Sequence, residues 1–147
     1  TALRFFTVYG PYGRPDMALF KFTKNILDNK KIELFNNGNH SRDFTYIDDI
    51  VSGIYSIIQK PSKNKIPFRI FNIGNGNSRK LKDYLHYIEK KLGRKALIKK
   101  LPLQQGDIIK THSDIHSLNN FSNYKPKTNI EEGVGKFIDW FLKYYNY

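Results

Sequence analysis

The feature that most constrains the fold is an apolar segment, Phe5–Tyr9, that runs directly into a loop rich in glycine and proline, residues 10–15. Its aromatic and β-branched residues predict a buried strand, and the glycine and proline residues end strand pairing abruptly. In open α/β sheets, ligands bind just beyond the carboxyl ends of the strands. The segment therefore predicts a sheet strand that presents a ligand-facing loop. Because no Met precedes this strand, we expect the C-terminal part of a longer enzyme, as an expression fragment, a proteolytic product or the product of a split gene.

Size and composition indicate one domain or subdomain. The chain has 147 residues, of which 39% are hydrophobic and 15% aromatic, and this is enough to bury one core. The absence of cysteine excludes disulfides and thiolate metal sites and favours a cytoplasmic location. No apolar run reaches the roughly 18 residues of a membrane span. His112 and His116 share a potential helical face, but no third ligand lies near them, so we expect surface histidines rather than a metal site.

The net charge of +12 raises the alternative of a nucleic-acid-binding protein, because lysine and arginine neutralise phosphates. Nineteen of the 25 basic residues are lysines, and they fall on the exposed faces of predicted helices or in loops. No basic region alternates with exposed aromatic residues, as happens in single-strand binders. The distribution therefore favours solvated faces over a nucleic-acid interface.

Hydrophobic periodicity predicts helices that alternate with short apolar strands, which indicates a mixed α/β fold. The remaining strands are predicted at residues 32–35, 43–46, 68–73 and 96–100, and the helices at 16–28, 47–59, 79–92, from 114 and at 128–145. Helix 47–59 is expected to bury Ile47, Ile50, Val51, Ile54, Ile57 and Ile58.

Turn and capping signals predict how these elements begin, end and connect. A turn at Asn36–Asn39 is expected to join strands 32–35 and 43–46. Asp16 is predicted to cap the first helix, and Thr128 with Glu131 forms a capping box before the last one. Gly93 is expected to end the helix at 79–92.

Three charged residues near turns are candidates for ligand binding. Arg42 offers a rigid fork of donors that suits phosphate oxygens, and the alternative is a structural ion pair with Asp43 or Asp48. Arg14 lies on the loop after the opening strand, where a cation fits an anionic ligand, although a surface arginine is as compatible with the spacing. Asp107 can accept hydrogen bonds from a sugar diol or from local amides. These residues predict an anion-binding pocket of the kind that holds a sugar nucleotide.

The segment Gly74–Arg79 superficially resembles a dinucleotide-binding turn, because it follows a predicted strand and opens a predicted helix. The third glycine of that pattern is replaced by Arg79, so close packing over a pyrophosphate is not indicated. We therefore favour a tight turn in which Asn77 or Ser78 caps the following helix.

Five segments together resemble a known family. They are Leu3–Ala18 (LRFFTVYGPYGRPDMA), Arg42–Ile50 (RDFTYIDDI), Phe71–Gly74 (FNIG), Gln105–Asp107 (QGD) and Lys125–Gly133 (KPKTNIEEG). In order and content they resemble the C-terminal half of NAD-dependent nucleotide-sugar epimerases of the extended short-chain dehydrogenase/reductase family, above all UDP-glucuronate 4-epimerases. The resemblance implies that residues 1–147 form a substrate-binding portion, that residues 1–12 belong to the sheet of a Rossmann half, and that this N-terminal half is missing.

The resemblance also implies roles for individual residues in binding a UDP-sugar. Arg42 would contact the pyrophosphate and Asp107 the uridine ribose, while the strand around Glu33 to Phe35 would hold uracil through backbone groups and the Phe35 ring. Thr7 and Arg14 would grip the sugar carboxylate, and an arginine with a hydroxyl can fix the orientation of that group. Gln104 stands where other epimerase branches place an arginine beside the pyrophosphate.

For the reaction, the resemblance implies that NAD oxidises C4 of the sugar, that the 4-keto intermediate rotates, and that hydride returns to the opposite face, which interconverts UDP-glucuronate and UDP-galacturonate. Tyr9 and Gly10 would approach the nicotinamide end of NAD. The family's base is the tyrosine of a Tyr-x-x-x-Lys pair, and here only Tyr87 and Lys91 have that spacing, far from the family's position. We therefore expect no catalytic residue in this chain, NAD bound mainly by the missing half, and no activity from the chain alone.

Two alternative origins are compatible with the sequence. The chain could instead derive from a UDP-sugar dehydratase or decarboxylase, or be a non-catalytic remnant of a split gene. The expected partners are a UDP-sugar and either a second copy of the chain or a separate N-terminal half. Without its sheet, strand 4–9 is expected to lose its pairing partners and to self-associate or reorder.

Overall fold

The computed structural model describes residues 1–147, and it confirms the mixed α/β prediction. The chain contains eight strands and five helices. The strands are β1 (Ala2–Phe5), β2 (Thr7–Tyr9), β3 (Lys31–Phe35), β4 (Ser41–Arg42), β5 (Phe44–Tyr46), β6 (Ile70–Ile73), β7 (Arg79–Lys80) and β8 (Leu97–Leu101). The helices are α1 (Ala18–Leu27), α2 (Ile47–Ile58), α3 (Leu81–Leu92), α4 (His116–Ser122) and α5 (Ile130–Tyr145).

The opening strand is interrupted at Phe6, and its two parts pair with different partners. β1 pairs in parallel with β6, and β2 pairs in parallel with β5. The expectation that residues 4–9 lack strand partners is therefore wrong. The expected uniform burial is also wrong, because Tyr9 is buried while Phe5 is 52% exposed.

The two strands that flank the predicted turn at Asn36–Asn39, β3 and β5, do not pair with each other. β3 pairs in parallel with β8, and residues 36–38 form a short 3-10 turn in which Asn36 and Asn37 have positive φ. The chain then enters β4, which pairs antiparallel with β7. The Asn-rich segment does turn the chain, but β3, whose apolar face buries Ile32 and Leu34, pairs along its edge with a strand more than 60 residues away.

Two apolar clusters form the interior. The larger one joins α1, α3 and α5 to β3 and β5, and the smaller one joins α2 and α4 to β6. In α2 only Ile50 and Ile57 of the six expected side chains are buried, and Val51 and Ile58 are exposed. The six residues wrap around more of the helix than its neighbours cover. None of the five helices is long and apolar enough to cross a membrane.

Helix ends were predicted less well than helix positions. Met17, not Asp16, precedes α1, and Asn129, not Thr128, caps α5 by accepting a hydrogen bond from Glu132 N at 2.9 Å. The expected end of α3 at Gly93 is confirmed, with φ of 63°. That helix begins at Leu81 rather than at Arg79, because residues 79–80 pair with β4.

Candidate functional site

A cavity of about 320 Å³ opens beside β2 and the loop that follows it. α1, the end of β3, the segment 40–44, the start of α3, Asp107 and Phe137 of α5 also line it. Of the residues predicted to bind substrate or cofactor, those that line this cavity are Thr7, Tyr9, Gly10, Arg14, Glu33, Phe35, Arg42 and Asp107. Gln104 does not line it. The fold therefore brings together residues from positions 7 to 107 in one concave site.

Arg42 reaches across the chain to Asp107. Its Nη2 donates to Asp107 Oδ1 at 3.1 Å, and its Nη1 donates to the carbonyls of Ser41 at 3.1 Å and Ile109 at 3.4 Å. The local alternative, an ion pair with Asp43 or Asp48, is wrong. The guanidinium is instead held at the cavity wall by a partner 65 positions later.

Asp43 faces the interior and ties three segments together. Its fully buried carboxylate accepts hydrogen bonds from Asn75 N at 2.6 Å, from Gly76 N at 3.0 Å and from both Ser113 N and Ser113 Oγ. Burying a carboxylate is tolerated only when such bonds replace its hydration. Asp43 thereby anchors the strand start that carries Arg42.

This network also explains the glycine-rich turn at residues 74–78. Two of its amides are directed at Asp43 and are not free for a pyrophosphate. Ser78 Oγ donates to Thr111 O at 2.6 Å, and α3 has no side-chain cap. The turn itself is confirmed, but the predicted cap by Asn77 or Ser78 is wrong.

His40 is a cavity residue that sequence reasoning missed. The side chain is buried, lines the cavity, and places Nε2 3.1 Å from Asp107 Oδ2. Its position two residues before Arg42 puts it beside the same carboxylate, and that short spacing is the only signal in the sequence that could have indicated it.

Arg14 and Thr7 also line the cavity. Arg14 Nε donates to Asp16 Oδ1 at 3.0 Å, and a second bond joins Arg14 Nη2 to Asp16 Oδ2. The hydrogen bonds from Arg14 lower the pKa of Asp16, and Asp16 in turn raises the pKa of Arg14. The main chain of Thr7 is fixed by a hydrogen bond from its N to Asp43 O at 3.1 Å.

Glu33 and Phe35 line the cavity at the end of β3, which is held by β8. The exposed carboxylate of Glu33 pairs with Lys99 at 3.0 Å. Gln104 contributes its carbonyl, which accepts a hydrogen bond from Asp107 N at 3.2 Å. Gln104 thus shapes the turn that presents Asp107, while its side chain is exposed outside the cavity.

Aromatic rings surround Tyr9 at the inner wall. Its ring makes edge contacts with Phe44, Tyr46 and Tyr84, and burial raises the pKa of the Tyr9 hydroxyl far above its usual value. Gly10 has φ of 146°, and a Cβ there would lie 2.5 Å from Ile47 Cγ2, so only glycine fits. Tyr9 therefore presents a neutral hydroxyl at the cavity wall, and Gly10 allows the backbone to turn closely beside it.

The Tyr87 and Lys91 pair lies on α3 outside the cavity lining. Lys91 forms an ion pair with Asp139 at 2.7 Å, and the Tyr87 ring contacts His86. His112 precedes α4, so it does not share a helical face with His116.

The chain is similar to a known protein family and to individual proteins from bacteria and plants. The profile of the family described as "NAD dependent epimerase/dehydratase family" matches residues 1–74. The chain is 46% identical to Protein CapI of Staphylococcus aureus over 159 aligned positions, which cover 99% of this chain and 48% of that protein. It is 43% identical to UDP-glucuronate 4-epimerase 1 of Arabidopsis thaliana, over 100% of this chain and 37% of that protein. The chain thus spans about half or less of the length of these relatives.

The fold also matches solved structures. A UDP-glucuronic acid 4-epimerase from Bacillus cereus, in complex with UDP-glucuronic acid and NAD, superposes with a TM-score of 0.88 at 33% identity, over 97% of this chain and 45% of that one. A UDP-glucose 4-epimerase from Thermotoga maritima, solved with UDP-glucose, gives 0.86 at 25% identity, over 97% of this chain and 46% of that one. The predicted resemblance to nucleotide-sugar epimerases is confirmed.

Proposed function

The chain belongs to the NAD-dependent epimerase/dehydratase family, and from this premise we propose that it forms the UDP-sugar-binding part of an epimerase that interconverts UDP-glucuronate and UDP-galacturonate at C4. The observation that carries the proposal is the cavity that unites Arg14, Arg42 and Asp107 with Phe35. Relatives named as UDP-glucuronate 4-epimerases, and one solved with UDP-glucuronic acid, support the choice of sugar.

Each part of a UDP-sugar has a chemically suited partner along the cavity. Arg42 binds the pyrophosphate with its fork of donors, and Asp107 accepts hydrogen bonds from the ribose. Phe35 and Glu33 hold the uracil, while Arg14 and Thr7 contact the sugar carboxylate. The fixed charges of the lining balance, since Arg14, Lys21 and Arg42 face Asp16, Glu33 and Asp107. Recognition therefore depends on the placement of donors and acceptors rather than on net charge.

The cofactor is proposed to be held mainly by another part of the enzyme. NAD supplies the hydride acceptor at C4 when bound. In this chain only Tyr9 and Gly10 would contact NAD. The glycine-rich turn at 74–76 is not free to do so, because its amides already bind Asp43. Residues 1–147 accordingly act as the substrate-binding portion, with residues 1–12 adjoining the sheet of an NAD-binding half.

A turnover assay tests whether this chain, which is proposed to bind the substrate, can catalyse the reaction without an NAD-binding half. The chain alone, given NAD and UDP-glucuronate, is expected to form no UDP-galacturonate by chromatography, because the cavity presents no Tyr-x-x-x-Lys pair. Measurable product from this mixture would contradict the proposed division.

Binding of UDP tests the proposed function directly. In nuclear magnetic resonance titrations, UDP is expected to shift amide signals around the cavity, and Arg42→Ala is expected to weaken binding by about 1.5–3 kcal/mol. Arg79→Ala is the matched control, because Arg79 pairs with Arg42 across β4 and β7 but lies outside the cavity. Equal affinities in the two variants, or no binding by the wild type, would overturn the proposal.

A further inference from the structure

We propose that His40 is a positioning residue that holds Asp107 for ribose recognition once Arg42 engages the diphosphate. The inference rests on the proposed function and adds a residue that the sequence did not indicate. It starts from a buried imidazole that lines the cavity and is only 4% exposed.

The main chain around His40 is fixed on two sides. The carbonyl of His40 accepts a hydrogen bond from Leu81 N at 2.9 Å, at the start of α3. Ser41 N donates to Ile109 O at 2.8 Å, and Ser41 O accepts from Thr111 N at 3.1 Å. These bonds clamp the segment between α3 and the segment that follows Asp107. The imidazole therefore has a defined place beside the Asp107 carboxylate.

Asp107 is held less firmly than His40. It lies in a turn closed by the bond from its own N to Gln104 O, and its side chain is 30% exposed. Oδ1 accepts from Arg42, while Oδ2 lies 3.1 Å from His40 Nε2. That nitrogen is buried and is not aligned for a hydrogen bond with any protein atom. A small rotation of the Asp107 carboxylate would align the bond and satisfy the nitrogen.

Competition for Arg42 supplies the physical reason for such a rotation. A diphosphate and the Asp107 carboxylate are both anions that seek the same guanidinium, so a bound diphosphate weakens the contact between Arg42 and Asp107. His40 then remains as the fixed donor to Oδ2, and Oδ1 becomes free to accept from a ribose hydroxyl. His40 acts through Asp107 and is assigned no direct contact with the sugar.

The test compares UDP with 2′-deoxy-UDP and 3′-deoxy-UDP by magnetic resonance titration. The ratio of affinities measures how strongly the site recognises a ribose hydroxyl. His40→Gln places an amide nitrogen near the position of Nε2, the atom beside Asp107. His40→Asn places its amide nitrogen near the position of Nδ1, from which it cannot reach Asp107. We expect the wild type and His40→Gln to keep the preference for UDP, and His40→Asn to lose about tenfold of it.

Two further variants connect the effect to the carboxylate. Asp107→Asn is expected to reduce the same ratio, and His40→Asn combined with Asp107→Asn is expected to cause no additional loss, because both changes act on one interaction. Affinity for the deoxynucleotides should change little in the single His40 variants. In Asp107→Asn it should rise together with that for UDP, because the anion that competes with the diphosphate for Arg42 is removed, so the ratio remains the measure. Thermal melts establish that each variant is folded.

The outcomes separate this inference from the proposed function. If UDP binds and depends on Arg42, but His40→Asn keeps the full preference for UDP, the positioning role is overturned alone. Equal losses for UDP and the deoxynucleotides in both His40 variants would indicate a structural role and overturn it too, as would a folded His40→Gln that lacks the preference. No binding of UDP by the wild type would overturn the proposed function and the inference with it.

Discussion

Arg14 shares the cavity wall with its own counter-ion, Asp16, and this pairing bears on how the site would select a uronate. The pair is exposed, and exposed ion pairs contribute little to stability because water and salt screen them. A carboxylate ligand can therefore replace Asp16 at small cost. Asp16 therefore competes with a ligand carboxylate for Arg14 and sets how strongly Arg14 can bind it.

Substitutions at this pair should change selectivity rather than nucleotide binding. Arg14→Leu is expected to weaken UDP-glucuronate by about tenfold, the effect of a lost charged hydrogen bond, and to leave UDP unchanged. Asp16→Asn removes the competing carboxylate and is expected to strengthen UDP-glucuronate by about two- to fivefold. Titrations with UDP-glucuronate, UDP-glucose and UDP measure both effects. A loss of the same factor for all three ligands in Arg14→Leu would assign Arg14 to structure or phosphate binding.

Asp28 provides a prediction for stability in acid. The hydroxyl of Tyr147 donates to its carboxylate, and Lys30 and Lys24 add further contacts, which together lower the pKa of Asp28 to about 2. Because the folded pKa lies below the unfolded value of about 3.9, the contribution to stability is present above that value and is lost as pH falls towards about 2.

Asp28→Asn should therefore lower the melting temperature at neutral pH, and the difference from the wild type should shrink between about pH 4 and pH 2. Tyr147→Phe should cause part of the same change, and Tyr145→Phe serves as its control because the Tyr145 hydroxyl does not bond Asp28. Melting curves across this pH range make the comparison. A constant difference at every pH would show that Asp28 does not contribute through its ionisation.

Helix α5 contains two glycines that face different surroundings. A Cβ at Gly133 would lie 2.2 Å from the hydroxyl oxygen of Tyr9, whereas a Cβ at Gly135 would meet no atom within 4 Å. Gly133 thus permits close contact between the helix and the aromatic wall of the cavity. Gly135 has no such packing role and only weakens the helix.

The two alanine substitutions should consequently have opposite effects. Gly133→Ala is expected to destabilise the protein by about 1–3 kcal/mol through overpacking and to displace Tyr9. Gly135→Ala is expected to stabilise it by about 0.5–1 kcal/mol through helix propensity. Urea denaturation measures both free energies of unfolding. Equal changes in the free energy of unfolding of the two variants would show that the contact with Tyr9 does not require glycine at position 133.

Across the whole molecule, the strand pairs leave one edge of β1 without a partner. β1 pairs only with β6, and Phe5 lies at its end with its side chain 52% exposed. Val51, Tyr55 and Ile58 of α2 are exposed as well. An unpaired edge with apolar side chains favours pairing with another chain. The expected association therefore remains a prediction, although both parts of the opening strand have an internal partner.

Sedimentation analysis over a range of concentrations tests this association. The wild type is expected to show a rising average mass, and Phe5→Lys is expected to stay near the monomer mass of 17.3 kDa, because a charged lysine on an edge strand opposes pairing. Leu103→Lys is the control, since Leu103 is 44% exposed but lies in a loop outside the strands. A wild type that remains monomeric at every concentration would contradict the prediction.

Local sequence patterns were sufficient for most elements and for the candidate ligands. The apolar spacing in residues 81–92 indicated α3, and Gly93 marked its end, because helix formation and termination depend on residues within one or two turns. Arg14, Arg42 and Asp107 could be selected because an arginine or carboxylate beside a turn has a limited set of uses.

Contacts between distant segments decided the remainder. Arg42 pairs with Asp107, 65 positions away, and Asp43 binds amides 32 to 70 positions away, so no local rule could have rejected the ion pair between neighbours. His40 looks like any surface histidine until α3 and the segment at 109–111 enclose it. Propensity and periodicity depend on near neighbours, whereas strand partners, buried charges and cavity walls depend on which segments meet when the core closes. The residue types of this site could thus be found from the chain alone, and their partners only from the fold.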